Sequence, residues 1–251
     1  MKEFIYSRNA VYETLRARRR NFFRLELAHG VQEKGRLAQI VEIATQRKIP
    51  ILRAPRAGLD KIAPNHQGVI LEASGYPYQN LADILDLAGR RQEPPFVLIL
   101  DTLQDPQNFG SLLRTAEAVG VHGVVLPLAR AAGVTPAVVN ASSGASEHML
   151  IAQANLSQTI AQLKEAGAWI VGLDESPESK HPSEVRLDGA LAVVVGSEGE
   201  GLRPLVRQSC DFLLRLPMQG KIESLNAAVA GSVALYLAYL ARQNTATDEH
   251  R

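Results

Sequence analysis

Residues 96–118 read Phe96-Val-Leu-Ile-Leu-Asp-Thr-Leu-Gln-Asp-Pro-Gln-Asn-Phe-Gly-Ser-Leu-Leu-Arg-Thr-Ala-Glu-Ala. Five apolar residues in a row, with no polar alternation, have the pattern of a strand buried on both faces, and the polar stretch after them passes into a helical segment. Similar runs recur at Gly123-Val-Val-Leu, Trp169-Ile-Val-Gly-Leu, Leu191-Ala-Val-Val-Val and Phe212-Leu-Leu-Arg-Leu. Helical segments lie between and after them at residues 110–119, 156–166, 202–209 and 225–241. Strands alternating with helices predict an α/β fold: a mostly parallel sheet with helices on both faces.

Upstream, the pattern is that of a smaller α/β unit. Asn9-Ala-Val-Tyr-Glu-Thr-Leu-Arg has helical periodicity, and Phe23-Arg-Leu-Glu-Leu-Ala alternates like a half-buried strand. Residues 35–48 form an amphipathic helix with Leu37, Ile40, Val41 and Ala44 on one face, followed by strands at Ile49-Pro-Ile-Leu and Gly68-Val-Ile-Leu-Glu-Ala. Ser74-Gly-Tyr-Pro-Tyr and Pro94-Pro95 then interrupt the pattern. The expected division is a domain over residues 1–75, a linker with one short helix over 76–95, a second domain over 96–243 and a disordered polar tail over 244–251.

Composition narrows the function classes. With 46% apolar and 21% charged residues the chain is neither disordered nor fibrous. The single cysteine, Cys210, precludes an internal disulfide, and the histidines lack ligand spacing, so no metal is expected. Cys210 and Trp169 read as core residues. No secretory signal opens the sequence, and the most apolar stretch, Ala227 to Ala241, is shorter than the ~20 residues a bilayer demands. The reading is a cytoplasmic protein with no membrane association.

The net charge of +1 conceals a polarised chain. Residues 1–60 hold 13 Lys/Arg against 6 Asp/Glu, a balance of +7, whereas the remainder carries −6. The arginines Arg8, Arg16, Arg18, Arg19 and Arg20 make the first domain a candidate for binding a polyanion, the plainer alternative being a solvated helix face.

In open parallel sheets ligands bind beyond the carboxyl ends of the strands, and three of these ends are chemically dense. Asp101 to Ala116 includes Asn108, suited to cap a helix, and Arg114 further along it. Gly196-Ser-Glu-Gly-Glu-Gly-Leu places Glu198 and Glu200 among glycines that free the backbone to approach a ligand. Leu216-Pro-Met-Gln-Gly-Lys-Ile-Glu-Ser-Leu-Asn offers Ser224 as a cap for the last helix and Asn226 in its first turn. Each alone reads as turn and capping chemistry, but three polar ends in one layer can converge on one pocket.

Taken in this order, Asn108-Phe-Gly-Ser-Leu-Leu-Arg-Thr-Ala, Gly196-Ser-Glu-Gly-Glu-Gly-Leu and Leu216-Pro-Met-Gln-Gly-Lys-Ile-Glu-Ser-Leu-Asn-Ala-Ala-Val-Ala closely resemble the three motifs of the SpoU (TrmH-like) RNA ribose 2′-O-methyltransferases. The resemblance spans residues 96–243, and the segment with Asn9-Ala-Val looks like the small substrate-binding domain, similar to ribosomal protein L30e, of the RlmB-type members. Ser7 stands where that subfamily usually has glycine, and Ala227-Ala228 where the third motif often reads Val-Ser. The resemblance implies S-adenosylmethionine as methyl donor, a trefoil knot in the C-terminal part of the sheet, and a homodimer covering the apolar last helix. It places the cofactor among Gly196, Gly201, Leu216, Pro217, Met218 and Leu225. It puts Arg114 at the reactive centre, with Asn108 and Glu198 orienting it and Ser224 and Asn226 completing a polar wall.

The implied substrate is a guanosine ribose of large-subunit (23S) ribosomal RNA, with transfer RNA as the same-class rival. A noncatalytic RNA-binding module is the alternative from another class. A nicotinamide-dependent dehydrogenase would share the sheet, but the first strand carries no glycine fingerprint. For Arg114 two roles stay open: a proton acceptor, chemically awkward because a guanidinium is almost never deprotonated, or a group that binds phosphate and stabilises a developing alkoxide.

Overall fold

The computed structural model describes residues 2–129, 132–222 and 224–248. Its first elements are β1 (Lys2–Tyr6), α1 (Arg8–Ala17), β2 (Phe22–Ala28), α2 (Arg36–Gln46), β3 (Ile51–Ala54), α3 (Arg56–Asp60), β4 (Val69–Ser74) and α4 (Leu81–Arg91). They are followed by β5 (Phe96–Leu100), α5 (Pro106–Ala118), β6 (Gly123–Pro127), α6 (Pro136–Ala141), β7 (Leu150–Ala154) and α7 (Leu156–Glu165). The last are β8 (Trp169–Leu173), β9 (Leu191–Val195), α8 (Pro204–Ser209), β10 (Phe212–Leu214) and α9 (Ala227–Asp248). The chain divides into two compact units, one of residues up to Pro77 together with Gly133–His148, the other of Tyr78–Ala132 together with everything from Met149 onward.

The first unit is a mixed four-stranded sheet in the order β1-β4-β2-β3, with β4 antiparallel to both neighbours and β2 parallel to β3. β2 buries Leu25 and Leu27, while Phe23, at a register shift in the pairing with β4 between Phe22 and Arg24, stays 38% exposed. The amphipathic face of α2 buries Leu37, Ile40 and Ala44 and leaves Val41 half-buried. Ser7, which precedes α1, has φ 74° and ψ 149°, a backbone region essentially reserved for glycine. The glycine usual at this position in the resembling family would carry no such strain.

Gly133–His148 packs within this unit. Val138 and Val139 of α6 are fully buried, and at Gly144 a Cβ would lie 2.5 Å from the Cβ of Glu13 on α1. Glu147, with no side-chain exposure, receives Arg20 Nε at 2.9 Å and Nη2 at 2.7 Å. Arg20 also donates to Glu3 at 2.6 Å and to the Ser74 carbonyl at 2.9 Å, and its guanidinium lies 5.4 Å from the Tyr76 ring centroid. A segment expected in the second domain therefore belongs, by its packing, to the first. The reason is a buried ion pair between residues 127 positions apart, which sequence patterning cannot display.

The second unit is a six-stranded parallel sheet in the order β10-β8-β9-β5-β6-β7. Every residue of β5, β6 and β9 is buried, as expected for strands covered on both faces. One face packs Val97, Ile99, Val125, Ile170 and Val194 against α4, α7 and α8. On the other, α9 lies so close that a Cβ at Gly231 would fall 2.6 Å from Leu112 of α5 and 3.0 Å from Val195 of β9.

Several expectations are corrected. β1, α3, α6 and β7 appear in addition to the anticipated elements, because five- and six-residue segments carry too little periodicity to stand out. Trp169 is 40% exposed instead of core: it opens β8 before the first β10 pairing at Phe212–Val171, and its ring rests on Phe212 at 5.4 Å. Cys210 is partly buried, its thiol pushed up to about 12 by burial. The last helix continues to Asp248, where a disordered tail from 244 was expected, since adding a turn to a formed helix costs little; residues 249–251 lie outside the described residues.

Candidate functional site

The carboxyl ends of β5, β9 and β10 carry the three motifs, and α5 starts just beyond the first. Asp105, not Asn108, is its N-cap: the Asp105 carboxylate accepts from Gln107 N at 3.3 Å and Asn108 N at 3.1 Å, with Pro106 at the first helical position. Asn108 is thereby fixed in the first turn with its side chain free to reach out. Its Nδ2 donates to Glu198 of the glycine loop, and its Oδ1 accepts from Asn226 Nδ2 at 3.1 Å. A single amide thus joins all three motifs.

Asn226 is itself the cap of α9, its Oδ1 accepting from Ala228 N at 3.0 Å and Val229 N at 3.2 Å. This corrects the expectation for Ser224, which is exposed two residues earlier. Nearly two turns further along α9, Ser232 Oγ meets Thr115 Oγ1 of α5 at 2.9 Å. Asn108 and Thr115 are seven residues apart, two turns on the same helix face, so α5 and α9 share two polar rungs around the Leu112–Gly231 contact.

The glycine loop folds back on itself, with Ser197 N donating to the Gly201 carbonyl at 3.1 Å and Gly201 N to the Ser197 carbonyl at 3.2 Å. A Cβ at Gly196 would lie 2.2 Å from the Gly201 carbonyl carbon. The need for glycine at 196 is therefore imposed by the chain itself. Gly201 has φ 66°, with nothing within 4 Å of where a Cβ would stand.

Beside this loop lies a cavity of about 320 Å³. Gly196, Glu198, Gly201, Leu216, Ser224 and Leu225, from the second and third motifs, line it. Pro217, Met218, Asn108, Asn226 and Arg114 are outside the lining; Arg114 is exposed on α5. Asp174, Glu175, Glu198 and Glu200 are among the lining residues, none of the described residues that line it is Lys or Arg, and Leu173, Val195 and Leu214 add apolar wall.

Leu173, Asp174 and Glu175 were missed by the motif reading, although the strand-end rule applied to the Trp169 run points to them. Asp174 anchors its loop: it accepts from Ser176 N at 2.8 Å, Ser179 Oγ at 3.2 Å and Arg207 Nε at 3.1 Å. Burial pushes its carboxyl up, but hydrogen bonds from Ser176 and the Arg207 guanidinium outweigh this and hold it below the usual carboxylate range. A second unforeseen pair is Asp101, fully buried, which accepts from Arg203 N at 2.8 Å and Arg203 Nε at 2.6 Å. With Asp101 N donating to the Val195 carbonyl at 2.8 Å, it pins the segment after β5 to the one after β9.

The five candidate RNA-binding arginines of the first unit have separate fates. Arg20 is consumed in the buried pair with Glu147 and is withdrawn from contact with any polyanion. Arg19, partly buried, donates to Tyr76 Oη at 3.0 Å and to the Pro77 carbonyl at 3.3 Å. Arg8 is held by Gln67. Arg16 and Arg18 remain exposed. Among the described residues no group of three or more His, Cys, Asp or Glu is placed to hold a metal, and no helix is long and apolar enough to cross a membrane.

Residues 95–236 match the model of the SpoU rRNA Methylase family, and residues 4–79 that of the RNA 2′-O ribose methyltransferase substrate binding domain. The chain belongs to the SpoU methylase family. The protein YacO of Bacillus subtilis, whose name assigns it to the TrmH family of tRNA/rRNA methyltransferases, is 43% identical over 244 residues, covering 96% of each chain. Among solved structures, the AdoMet-bound rRNA methyltransferase from Sinorhizobium meliloti superposes with a TM-score of 0.76 at 22% identity, over 94% of this chain and 86% of that one. The TrmH/SpoU tRNA modifying enzyme of A. aeolicus, 27% identical with a TM-score of 0.55, covers 62% of this chain and 78% of its own. In this SpoU enzyme the amide junction at Asn108 thus joins the family's three motifs.

Proposed function

We propose that this chain transfers a methyl group from S-adenosylmethionine to a ribose 2′-hydroxyl of RNA, acting in the cytoplasm as a homodimer on a guanosine of 23S ribosomal RNA. The observation that carries the reading is Asn108, hydrogen-bonded to both Glu198 and Asn226 at the edge of an acidic, partly apolar cavity. That cavity suits the cofactor: its acidic lining residues favour a sulfonium cation, and its aliphatic walls and the uncovered Gly201 backbone suit a large organic body. When bound, S-adenosylmethionine supplies a methyl group already activated on positively charged sulfur. Gly196, Gly201, Leu216, Pro217, Met218 and Leu225 are the residues this reading assigns to holding it.

What remains for the protein is alignment and the handling of one proton. Arg114 presents a planar cationic fork that binds the phosphate next to the target ribose and stabilises negative charge growing on the 2′-oxygen, while the proton leaves to phosphate or water. Asn108 and Glu198 orient the ribose, and Ser224 and Asn226 complete the polar wall. No step calls for a metal.

The exposed stripe Val229, Val233, Tyr236 and Leu240 on α9 supports a second copy as the cover of that helix. The knot is supported by strand order: β9 lies between β5 and β8, and β10 returns to the far side of β8. Ribosomal RNA is favoured over transfer RNA because the chain carries the additional substrate-binding segment, residues 4–79.

Arg114→Ala tests the assignment. Turnover on RNA should fall by orders of magnitude while S-adenosylmethionine affinity, measured by calorimetry, stays within a few-fold. Arg114→Lys should be nearly as inactive if the planar fork matters. A wild-type rate for Arg114→Ala would overturn the role. Mapping ribose methylations in total RNA from cells with and without the protein identifies the nucleotide, and loss of a transfer-RNA methylation alone would overturn the ribosomal target.

A further inference from the structure

Within the first unit, α1 and α2 pack side by side, and their shared face concentrates positive charge around aromatic rings. At one end the Arg36 guanidinium carbon sits 3.9 Å from the Tyr12 ring centroid, with Arg16 at 5.6 Å from the same ring. At the other, Arg47 lies 5.8 Å from the ring of Phe22, and Arg18, a left-handed residue (φ 59°), ends α1. Arg18 and Arg47 are the residues that end α1 and α2, and burial together with the Arg18 charge lowers the Arg47 pKa.

Carboxylates neutralise little of this face. Glu13 pairs with Arg16 at 3.1 Å, and Arg36 donates to the uncharged Gln39 at 3.1 Å. Among the described residues no ion pair involves Arg18, Arg36 or Arg47. Two uncompensated guanidiniums cost free energy unless an anion comes between them, and a phosphate matches their forked donors. A guanidinium backed by an aromatic ring presents a flat cationic plane on which an unpaired base stacks. Arg36, Arg47, Tyr12 and Phe22 lie outside the five candidate arginines Arg8, Arg16, Arg18, Arg19 and Arg20.

We propose that the α1–α2 face binds an unpaired stretch of RNA, with Arg18 and Arg47 clamping one backbone phosphate and Arg36, backed by Tyr12, stacking on a base. The inference rests on the reading of this protein as an RNA methyltransferase and specifies where its RNA is held. The stacking plane favours single strands or loops over a duplex, whose bases are already stacked.

Fluorescence anisotropy of the full-length protein tests it, using a labelled RNA hairpin with a long unpaired loop and a fully paired duplex of the same length. The Arg18→Ala/Arg47→Ala variant should weaken binding to the hairpin and lower the slope of log affinity against log salt by about 1. Arg36→Ala should weaken hairpin binding by about tenfold or more and leave duplex binding little changed. Arg56→Ala, at an exposed arginine of α3, is the control for charge alone. Wild-type affinity and salt slope in the double variant, or equal losses for Arg56→Ala, would overturn the clamp while leaving the methyltransferase reading intact. Failure of the wild-type protein to bind or methylate RNA would overturn that reading and this inference with it. S-adenosylmethionine affinity should be unchanged in all these variants.

Discussion

Arg20 shows how an arginine in a basic run can have no part in the surface charge. Its side chain is fully buried between Glu147 and Glu3, and removing it strands a buried carboxylate. Arg20→Ala should therefore cost about 3–5 kcal/mol of stability in denaturant unfolding. Arg20→Met combined with Glu147→Leu should recover most of the loss, because no unpaired charge is then left inside. Equal destabilisation by the single and double variants would refute this account. Asp174 acts at the same scale but is sensitive to acid. Its folded-state pKa lies below the unfolded value, so the stability it confers is complete above about pH 4 and is lost as pH falls through the folded value. Asp174→Asn should cost about 1–2 kcal/mol at pH 7, where the wild-type carboxylate is charged. The gap between the two proteins should close below pH 4, and a gap independent of pH would contradict the assigned cause.

Between elements, the decisive contact is α5 on α9. The two helices carry the first and third motifs, and their register is set by Asn226–Asn108, Ser232–Thr115 and the close approach at Gly231. Gly231→Val should push the helices apart at Leu112 and Val195, costing about 1–3 kcal/mol in thermal or denaturant unfolding. Methylation should suffer more than stability, since the Asn108–Asn226 bond depends on the same spacing. An active, fully stable Gly231→Val protein would show that this register is not what aligns the site.

For the whole molecule, the division into units bears on what can be removed. Gly133–His148 buries Val138, Val139 and Glu147 within the first unit. A fragment beginning at Tyr78 therefore keeps this segment but loses everything it packs on. The segment should become the first site of limited proteolysis, and the fragment should bind hydrophobic dye and aggregate. Replacing residues 133–148 in that fragment by a short polar linker should restore solubility. Protection of the segment in the simple truncation would contradict the packing described above.

How much of this was legible along the chain depends on the range of the interaction. The buried runs of β5, β6 and β9 declare themselves because a strand covered on both faces contains nothing but apolar residues, and the parallel sheet follows from their alternation with helices. The second and third motifs line one cavity, whereas the first reaches it only through the Asn108–Glu198 hydrogen bond, a contact that residue types at strand ends do not display. Capping was misread at Asn108 and Ser224 because Asp, Asn and Ser all cap, and only the helix start chooses among neighbours. Arg20, Asp101 and the α6 segment could not be read in advance. Their partners are distant in sequence, and local composition does not record whether a charge faces water or a buried opposite charge; that is settled when the chain closes around them.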